Sequence, residues 1–462
     1  MADRDGLPVP QRYWSAGAIW LAITLSVLDG TIANVALPTM ARALSAPPDQ
    51  SVWVVNGFQL AVVVSLLPLA AVGEMIGYRR VFLCGVALFT AASLACALAL
   101  SLPILIAARC LQGLGAAGVM SVNGALLRFT YPADRLGRGV GLNALVVSAA
   151  SAFGPTIASA ILALGPWQWL FAVNVPIGVL TFLVGRAALP RSATSGSLDL
   201  PSTLLNIATF GLGFVGVDLI TRGGNAWFGG AALAFAAMAG ATLISRSRAQ
   251  PRPLVPIDLL RNRIFALSIV TSIASFSAQM LAFVSLPFYL QGLLHRTQVD
   301  TGLLMTPWPL AAGVAAALAG RLADRFPAPI LSSAGLALLA AGLLCLALLP
   351  GDATSFAVVW RMAMCGLGFG FFQSPNNRTM LSSAPMGRSG AASGMLATAR
   401  LTGQTFGATL AAISFRFASH AAPVALAAAA MFAIAAAAVS LARLPHMPTA
   451  PPSKPSPVPD AL

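Results

Sequence analysis

The chain has 462 residues, of which 58% are hydrophobic and only 9% are charged. Soluble domains carry about 25% charged residues, so this composition excludes a water-soluble globular protein of this length. The net charge of +14 does not indicate a nucleic-acid partner, because the basic residues stand in short loops between long apolar runs, as they do in membrane proteins.

The apolar runs predict an all-α integral membrane protein. A helix needs about 20 predominantly apolar residues to cross the ~30 Å hydrocarbon core of a bilayer. By this measure the sequence predicts fourteen transmembrane helices. They cover residues 15–37, 50–72, 81–101, 103–127, 139–164, 168–187, 200–220, 226–245, 264–290, 301–320, 329–349, 354–376, 389–413 and 421–441.

An even number of spans puts both termini on the same side of the membrane. If both termini are cytoplasmic, most of the loop arginines fall on the cytoplasmic side, as the positive-inside rule requires. We therefore expect a multi-pass protein of a bacterial inner or plasma membrane, embedded in the lipid bilayer with both termini in the cytoplasm.

An internal repeat divides the chain into two halves. Pro38 matches Pro287, and Arg109 with its following glycines matches Arg361, at an offset of about 250 residues. Repeated halves around a central cavity are typical of secondary transporters. The expected domains are a cytoplasmic tail (1–14), a six-helix bundle (15–190), two extra helices with flanking linkers (191–263), a second six-helix bundle (264–443) and a disordered Pro-rich tail (444–462).

Four motifs carry a resemblance to a known family. They are LDGTIANVALP at 28–38, RCLQGLGAA at 109–117, GP at 154–155 and WQWLFAVNVPIG at 167–178. They resemble the first-, fourth-, fifth- and sixth-helix signatures of the major facilitator superfamily and, within it, of the fourteen-span drug:proton antiporters. The resemblance implies two pseudo-symmetric six-helix bundles plus two extra helices, and a proton-coupled exporter of small molecules.

Asp29 is the candidate proton carrier. It lies about 21 Å into the first predicted span at 1.5 Å per residue, where a charge costs at least ~2.5 kcal/mol. It could also attract a lipophilic cation, or only fix helix packing. Arg109 is predicted at a similar depth, and the resemblance implies that it takes part in proton coupling. Since Asp29→Asn removes a buried charge, we expect the variant to keep or gain stability and to lose coupling.

The resemblance also implies a conformational latch in the cytoplasmic loops, made of ion pairs between helix ends. Glu74 and Met75 stand where the family usually has Asp and Arg. The residues expected to form the latch are Glu74, Arg79, Arg80, Arg138, Asp324, Arg325 and Arg388. The arginines among them could instead serve only as topology determinants.

The middle of several predicted spans contains residues that could shape a cavity. Gly154 and Pro155 form the antiporter motif, where proline bends a helix and glycine allows close approach; Ala158 and Ser159 replace the paired glycines usual there. Arg400 lies near mid-depth in the thirteenth span without an evident acidic partner, and must face protein or water. The residues expected to line a substrate cavity are Asn34, Trp53, Asn56, Gln59, Asn123, Gln279, Gln373 and Asn376.

These features favour a proton-coupled exporter of hydrophobic molecules, cationic ones included, such as drugs or antiseptics. The alternative is the same fold exporting one endogenous metabolite or importing a nutrient. A membrane-embedded enzyme is disfavoured, because we find no nucleophile–His–acid set and no metal-ligand spacing, and no Walker-type loop indicates ATP. We expect a monomer that binds protons and a small-molecule substrate, without cofactor, metal or nucleic acid.

Overall fold

A computed structural model describes residues 6–132, 135–191, 199–221, 226–250, 256–323, 325–383, 389–417 and 421–446. These residues form an all-helical protein. The fourteen long helical segments among them are α1 (Gln11–Ala43), α2 (Pro48–Ile76), α3 (Tyr78–Ala97), α4 (Leu102–Thr130), α5 (Leu136–Leu164), α6 (Trp169–Ala188), α7 (Leu200–Thr221), α8 (Ala226–Ala249), α9 (Arg263–Leu293), α10 (Gln298–Leu322), α11 (Ala328–Ala347), α12 (Ser355–Ser382), α13 (Ser389–Phe417) and α14 (Ala421–Leu441).

Twelve helices in the described part of the chain are long and apolar enough to cross a membrane. The segments outside the twelve are α5, of which Phe153–Leu164 counts as a shorter apolar helix, and α13, which carries Arg400 and many small polar residues. The all-α membrane fold is therefore confirmed, whereas the count of fourteen spans stays a prediction.

The two halves of the chain repeat one packing scheme. In the first half α4 packs against α2 and α3, while α1 packs against α5 and α6. In the second half α12 packs against α10 and α11, while α9 packs against α13 and α14. The halves are therefore pseudo-symmetric, as the internal repeat predicts.

Glycines at matching positions allow the closest helix contacts in both halves. A Cβ on Gly113 of α4 would stand 2.4 Å from the carbonyl oxygen of Phe58 on α2, and a Cβ on Gly366 of α12 would stand 2.0 Å from that of Trp308 on α10. The two glycines are therefore equivalent. The residue four places earlier is Arg109 in the first half and Met362 in the second, so Arg361 is one position away from the true counterpart of Arg109.

Helices α7 and α8 form a hairpin that packs on the outside of the first half. They pack against each other, and α7 also packs against α2. The Asn206 side chain donates a 2.9 Å hydrogen bond to the carbonyl oxygen of Val64. The ring of Phe214 meets that of Trp53 edge to face, with 4.7 Å between centroids.

The first and last described residues of the chain lie at one face of the molecule, which we call the termini face. The ends of α1 and α9 meet, because the Gln291 amide donates to the carbonyl oxygen of Val35 at 3.4 Å, so these two helices begin at the same face. Arg443, just after α14, binds Ser268 near the start of α9. The end of α14 therefore lies at the face where α1 begins. We call the opposite face the far face.

Candidate functional site

Asp29 stands at the centre of a buried polar network inside the first half. Its side chain is on α1 and is only 2% exposed. One carboxylate oxygen forms an ion pair with Arg109 of α4. The other accepts hydrogen bonds from Gln112 of α4 and Asn174 of α6, each 2.8 Å long. Both carboxylate oxygens are therefore occupied by donors from two other helices.

Arg109 is fully buried and is held on several sides. Its Nε donates to the carbonyl oxygen of Val54 at 2.9 Å, and its Nη1 donates to the side-chain oxygen of Gln112 at 2.6 Å. The rings of Phe58 and Phe171 lie 4.3 and 5.5 Å from its Cζ, within cation–π range. Its Nη2 is buried without a hydrogen-bond partner among the described residues. This nitrogen is therefore free to form a new hydrogen bond if the guanidinium moves.

Gln112 and Asn174 were not singled out by the sequence analysis, although both lie inside quoted motifs. Gln112 follows Arg109 by three residues and so shares its helix face. It also donates to the hydroxyl of Ser93 on α3 at 2.9 Å. Five of the six helices of the first half therefore meet at this network, which makes it sensitive to their relative movement.

The network leaves no free negative charge for a cationic substrate. Arg109 compensates the charge of Asp29 directly, and both side chains are almost entirely shielded from solvent. The idea that Asp29 attracts a lipophilic cation does not fit this geometry.

The halves are hydrogen-bonded to each other at the far face. Thr39 of α1 donates to Gln298 of α10 at 2.9 Å, and Arg42 of α1 donates to Gln291 of α9 at 3.0 Å. The hydroxyls of Thr156 on α5 and Thr306 on α10 are 2.7 Å apart. These bonds, together with one from the Gln298 amide to the carbonyl oxygen of Leu162 at 3.1 Å, join α1 and α5 to α9 and α10. The far face is therefore closed.

A sequence model of the Major Facilitator Superfamily matches residues 19–408 of the chain. The chain belongs to the major facilitator superfamily. Membership in this superfamily agrees with the repeated halves and makes the protein a membrane transporter rather than an enzyme.

Relatives of the chain are named for different roles. The chain is 50% identical to the uncharacterized transporter YebQ of Escherichia coli over 92% of its own length and 94% of YebQ. It is 30% identical to the multidrug resistance protein Stp of Mycobacterium tuberculosis over 84% of the chain and 73% of Stp. It is 29% identical to the riboflavin transporter RibZ of Clostridioides difficile over 83% of each.

A solved superfamily fold agrees with the architecture. The xylose transporter XylE, in a partially occluded inward-open conformation, matches with a TM-score of 0.65 at 14% identity, over 92% of this chain and 96% of XylE. At this identity the match establishes the fold alone.

The expected latch residues make no inter-half bond in the described part of the chain. Glu74 is exposed and has no ion pair there, Arg79 donates to the carbonyl oxygen of Arg186, and Arg80 donates to that of Ile76 at 3.4 Å. Arg325 is exposed. Asp324, Arg388 and the side chain of Arg138 lie outside the described residues. The latch therefore stays a prediction, and its described members are disengaged while the far face is closed.

Gly154 and Pro155 lie within α5 where it meets α1 and α10. A Cβ on Gly154 would stand 2.0 Å from the hydroxyl of Thr31 on α1. From the other half, a Cβ on Gly302 would stand 2.6 Å from the carbonyl oxygen of Pro155 and 1.6 Å from the hydroxyl of Ser159. The motif thus sets two close approaches, one within its half and one between the halves.

Four of the expected cavity residues are engaged elsewhere. Trp53 packs against Phe214 of the α7–α8 hairpin. The amide of Asn34 donates to the carbonyl oxygen of Gly30 at 3.3 Å, and that of Asn123 donates to Asn143 at 3.3 Å. Asn376 is fully buried at the termini face of the second half. The side-chain oxygens of Asn34 and Asn123 have no partner among the described residues, and the assignment of these four to the cavity stays a prediction.

The other four keep free polar atoms. Asn56 and Gln59 are buried in α2, and the oxygen of Asn56 has no partner among the described residues. Gln279 of α9 and Gln373 of α12 are half-buried, and neither makes a hydrogen bond within the described ranges. Their assignment to the cavity stays a prediction.

Asn376 belongs to a second buried polar cluster, built around Arg443. Arg443 is fully buried and donates to Asn376 at 2.6 Å and to the hydroxyl of Ser268 at 2.9 Å. It also donates to the hydroxyl of Ser440. Asn376 in turn donates to Ser272 at 2.8 Å. This cluster joins α9, α12 and α14 through neutral acceptors.

Proposed function

We propose that this superfamily member exports hydrophobic small organic molecules in exchange for protons. The observation that carries the proposal is the buried Asp29–Arg109 pair with its hydrogen bonds to Gln112 and Asn174. A carboxylate in a membrane interior is costly and marks a proton or ion pathway by default. Its helix, α1, also carries far-face contacts to the other half, so the pair is positioned to respond when the halves move.

In the proposed cycle, the present conformation holds Asp29 without its proton. With the far face closed, Arg109 balances the negative charge and the carboxylate is shielded from water. When the far face opens, a proton binds to an oxygen of Asp29 and weakens its bond to Arg109. Gln112, Val54 and the two aromatic rings hold the released guanidinium. When the far face closes again, Asp29 rebinds Arg109 and releases the proton at the termini face.

The direction of transport is proposed from orientation and from relatives. The loop arginines favour a cell-membrane protein whose termini face is cytoplasmic, so the closed far face is the exterior one. Stp, a relative, is named as a multidrug resistance protein. When the far face is open, the latch of Glu74 and the loop arginines would close the termini face. We propose that the transporter works as a monomer.

A second candidate is a carrier for one solute. The relative RibZ is named as a riboflavin transporter at nearly the same identity as Stp, so identity does not decide between the two substrate ranges. A screen of dyes, antiseptics and vitamins in cells lacking their own exporters separates them. Several chemically unrelated substrates support the multidrug exporter, and a single one supports the specific carrier.

Proton coupling is tested in the same cells with one transported compound. Efflux should stop when an uncoupler collapses the proton gradient, and should persist when ATP is depleted while the gradient is held. Efflux that is insensitive to the uncoupler would reject the proton mechanism, whatever the substrate.

A further inference from the structure

Arg400 is a cation inside the helical bundle that the proton mechanism does not use. It lies on α13 and is half-buried. It makes no hydrogen bond or ion pair with any residue in the described ranges, and its Cζ lies 5.6 Å from the ring centroid of Phe276 on α9. Gln404, one turn further on the same helix, is also half-buried and without a hydrogen bond to described residues. An unpaired guanidinium at this depth must face the interior of the bundle or a water-filled cavity.

The helix geometry shows which way Arg400 faces. At about 100° per residue, Gly403 and Gly407 lie on one side of Arg400, and both press against α9: a Cβ on Gly403 would stand 2.5 Å from the carbonyl oxygen of Ile273. Ala397 and Leu401 lie on the other side and pack on an apolar cluster of the first half. Phe406 points away and packs against Phe432 of α14. Arg400 is therefore directed into the space between the halves.

The side chains packed around Arg400 are apolar and partly aromatic, and they are buried. On the second half, Phe276 packs edge to face with Phe369 and Phe372 of α12, at centroid distances of 5.4 and 6.4 Å. On the first half, the cluster that receives Leu401 includes Leu25 and Phe58. Such surroundings favour a hydrophobic ligand over a strongly polar one.

The charge of this region is positive. Among the described residues, the acidic side chain that lies deep in a span is that of Asp29. Arg109 already compensates its negative charge. Arg400 has no such counter-charge in the described part of the chain. A substrate cation would therefore meet repulsion here, whereas a carboxylate or phenolate would gain a charge-assisted hydrogen bond.

We propose that Arg400 binds the anionic group of a hydrophobic substrate, with Gln404 as a second polar contact. This proposal rests on the proposed function and specifies its substrate class as hydrophobic anions. It reverses the cationic preference that the sequence analysis allows.

Two xanthene dyes with a common ring system provide the test, fluorescein as the anion and rhodamine 123 as the cation. Fluorescence anisotropy measures their binding to the purified full-length protein in detergent at neutral pH, with protein-free micelles as the blank. Wild type should bind fluorescein at least about tenfold more tightly than rhodamine 123, since a hydrogen bond to a charged group contributes a factor of that order. Arg400→Gln should remove this preference, and Arg400→Glu should invert it.

The matched control is Arg263→Gln, which removes the same charge from an exposed position at the start of α9. It should leave both affinities unchanged. Equal binding of the two dyes by wild type, no binding of either, or an unchanged preference in folded Arg400→Gln each overturns the proposal. The assay needs no gradient, so failure of proton coupling in cells would be seen separately.

Discussion

At the scale of single residues, Asp29 and Arg109 depend on each other. Each is almost entirely shielded from solvent, and each is the other's counter-charge. Removing one partner of a buried ion pair leaves an uncompensated charge, which costs about 3–5 kcal/mol. The sequence-based expectation is that Asp29→Asn keeps or raises stability. It neglects Arg109, whose buried positive charge would lose its counter-charge.

We therefore predict that Asp29→Asn lowers the thermal stability of the purified protein and abolishes proton-driven efflux. A double variant, Asp29→Asn with Arg109→Met, should recover much of the stability and none of the coupling. Methionine is the matched choice because Met362 occupies the equivalent position in the second half and is fully buried there. Gradient-driven efflux by either variant at the wild-type rate would show that Asp29 carries no proton.

The sequence predicts part of this site because depth follows from helix rise, which places Asp29 and Arg109 at one level. It does not predict the direction in which each side chain projects from its helix, so the contact between Asp29 and Arg109 is seen only in the structure. The spacing of Arg109 and Gln112 could have indicated a shared face. The polar residues Asn376 and Trp53 show the opposite limit, since an intramembrane polar residue can bind another helix as readily as it can line a cavity.

At the scale of helices, Asp199 joins the two helices of the α7–α8 hairpin at the termini face. It accepts from the backbone and hydroxyl of Ser202 in the first turn of α7, and from Gln250 after α8. It also pairs with Arg246 at 3.3 Å. The hydrogen bond from the Ser202 hydroxyl, followed by that from Gln250, lowers the pKa of Asp199 to about 2.

This lowered pKa gives a prediction with a definite sign. A carboxylate whose folded pKa lies below its unfolded pKa of about 3.9 stabilises the fold above that value, and the contribution is lost as pH falls through the folded pKa of about 2. Asp199→Ala should destabilise the protein by about 0.5–2 kcal/mol at pH 7, the usual range for losing a helix cap. Thermal melts should show the difference shrinking between about pH 4 and pH 2. Asp199→Asn, which retains the cap, should cost less.

Gly302 controls the crossing of α5 and α10 at the far face. Because a Cβ there would collide with Pro155 and Ser159, we predict that Gly302→Val prevents full closure. Maleimide labelling of a cysteine at Thr156, in a background without the native cysteines, should increase in this variant. The control is Gly313→Val in the same helix, where a Cβ meets nothing within 4 Å. Equal labelling in both variants would contradict a role for Gly302 in closure.

Helix packing was predictable from sequence only in part. The repeat of glycines in α4 and α12 correctly indicates equivalent helices, because close approach to a neighbouring backbone excludes a Cβ. The arginine match does not hold, since Arg361 donates to its own helix at Ala357 and stacks on Trp360. The pattern of residue types identifies the equivalent helices of the two halves. Only their contacts with neighbouring backbones show which residues of those helices are equivalent.

At the scale of the whole molecule, the two halves are hydrogen-bonded to each other at the far face, and the proposed transport cycle requires that these contacts open. Cysteines at Thr39 and Gln298, cross-linked in a cysteine-free background, should hold the far face closed and stop efflux until a reductant is added. A cross-link between Gln11 and Ala188, which lie 3.1 Å apart by side-chain to backbone hydrogen bond within one half, should leave efflux intact. Undiminished efflux by the first cross-linked protein would refute a rocking movement at this face.

The buried position of Arg443 has a consequence for how the protein is made. Its acceptors Ser268 and Asn376 are on α9 and α12, which leave the ribosome before α14 does. Until those helices have met, the guanidinium lacks these two acceptors and has only Ser440 nearby. Burial of Arg443 therefore depends on an assembled second half. A chain that ends before Arg443 would leave unpaired hydroxyl and amide groups inside the second half, a defect by which membrane proteases can recognise an unfinished product.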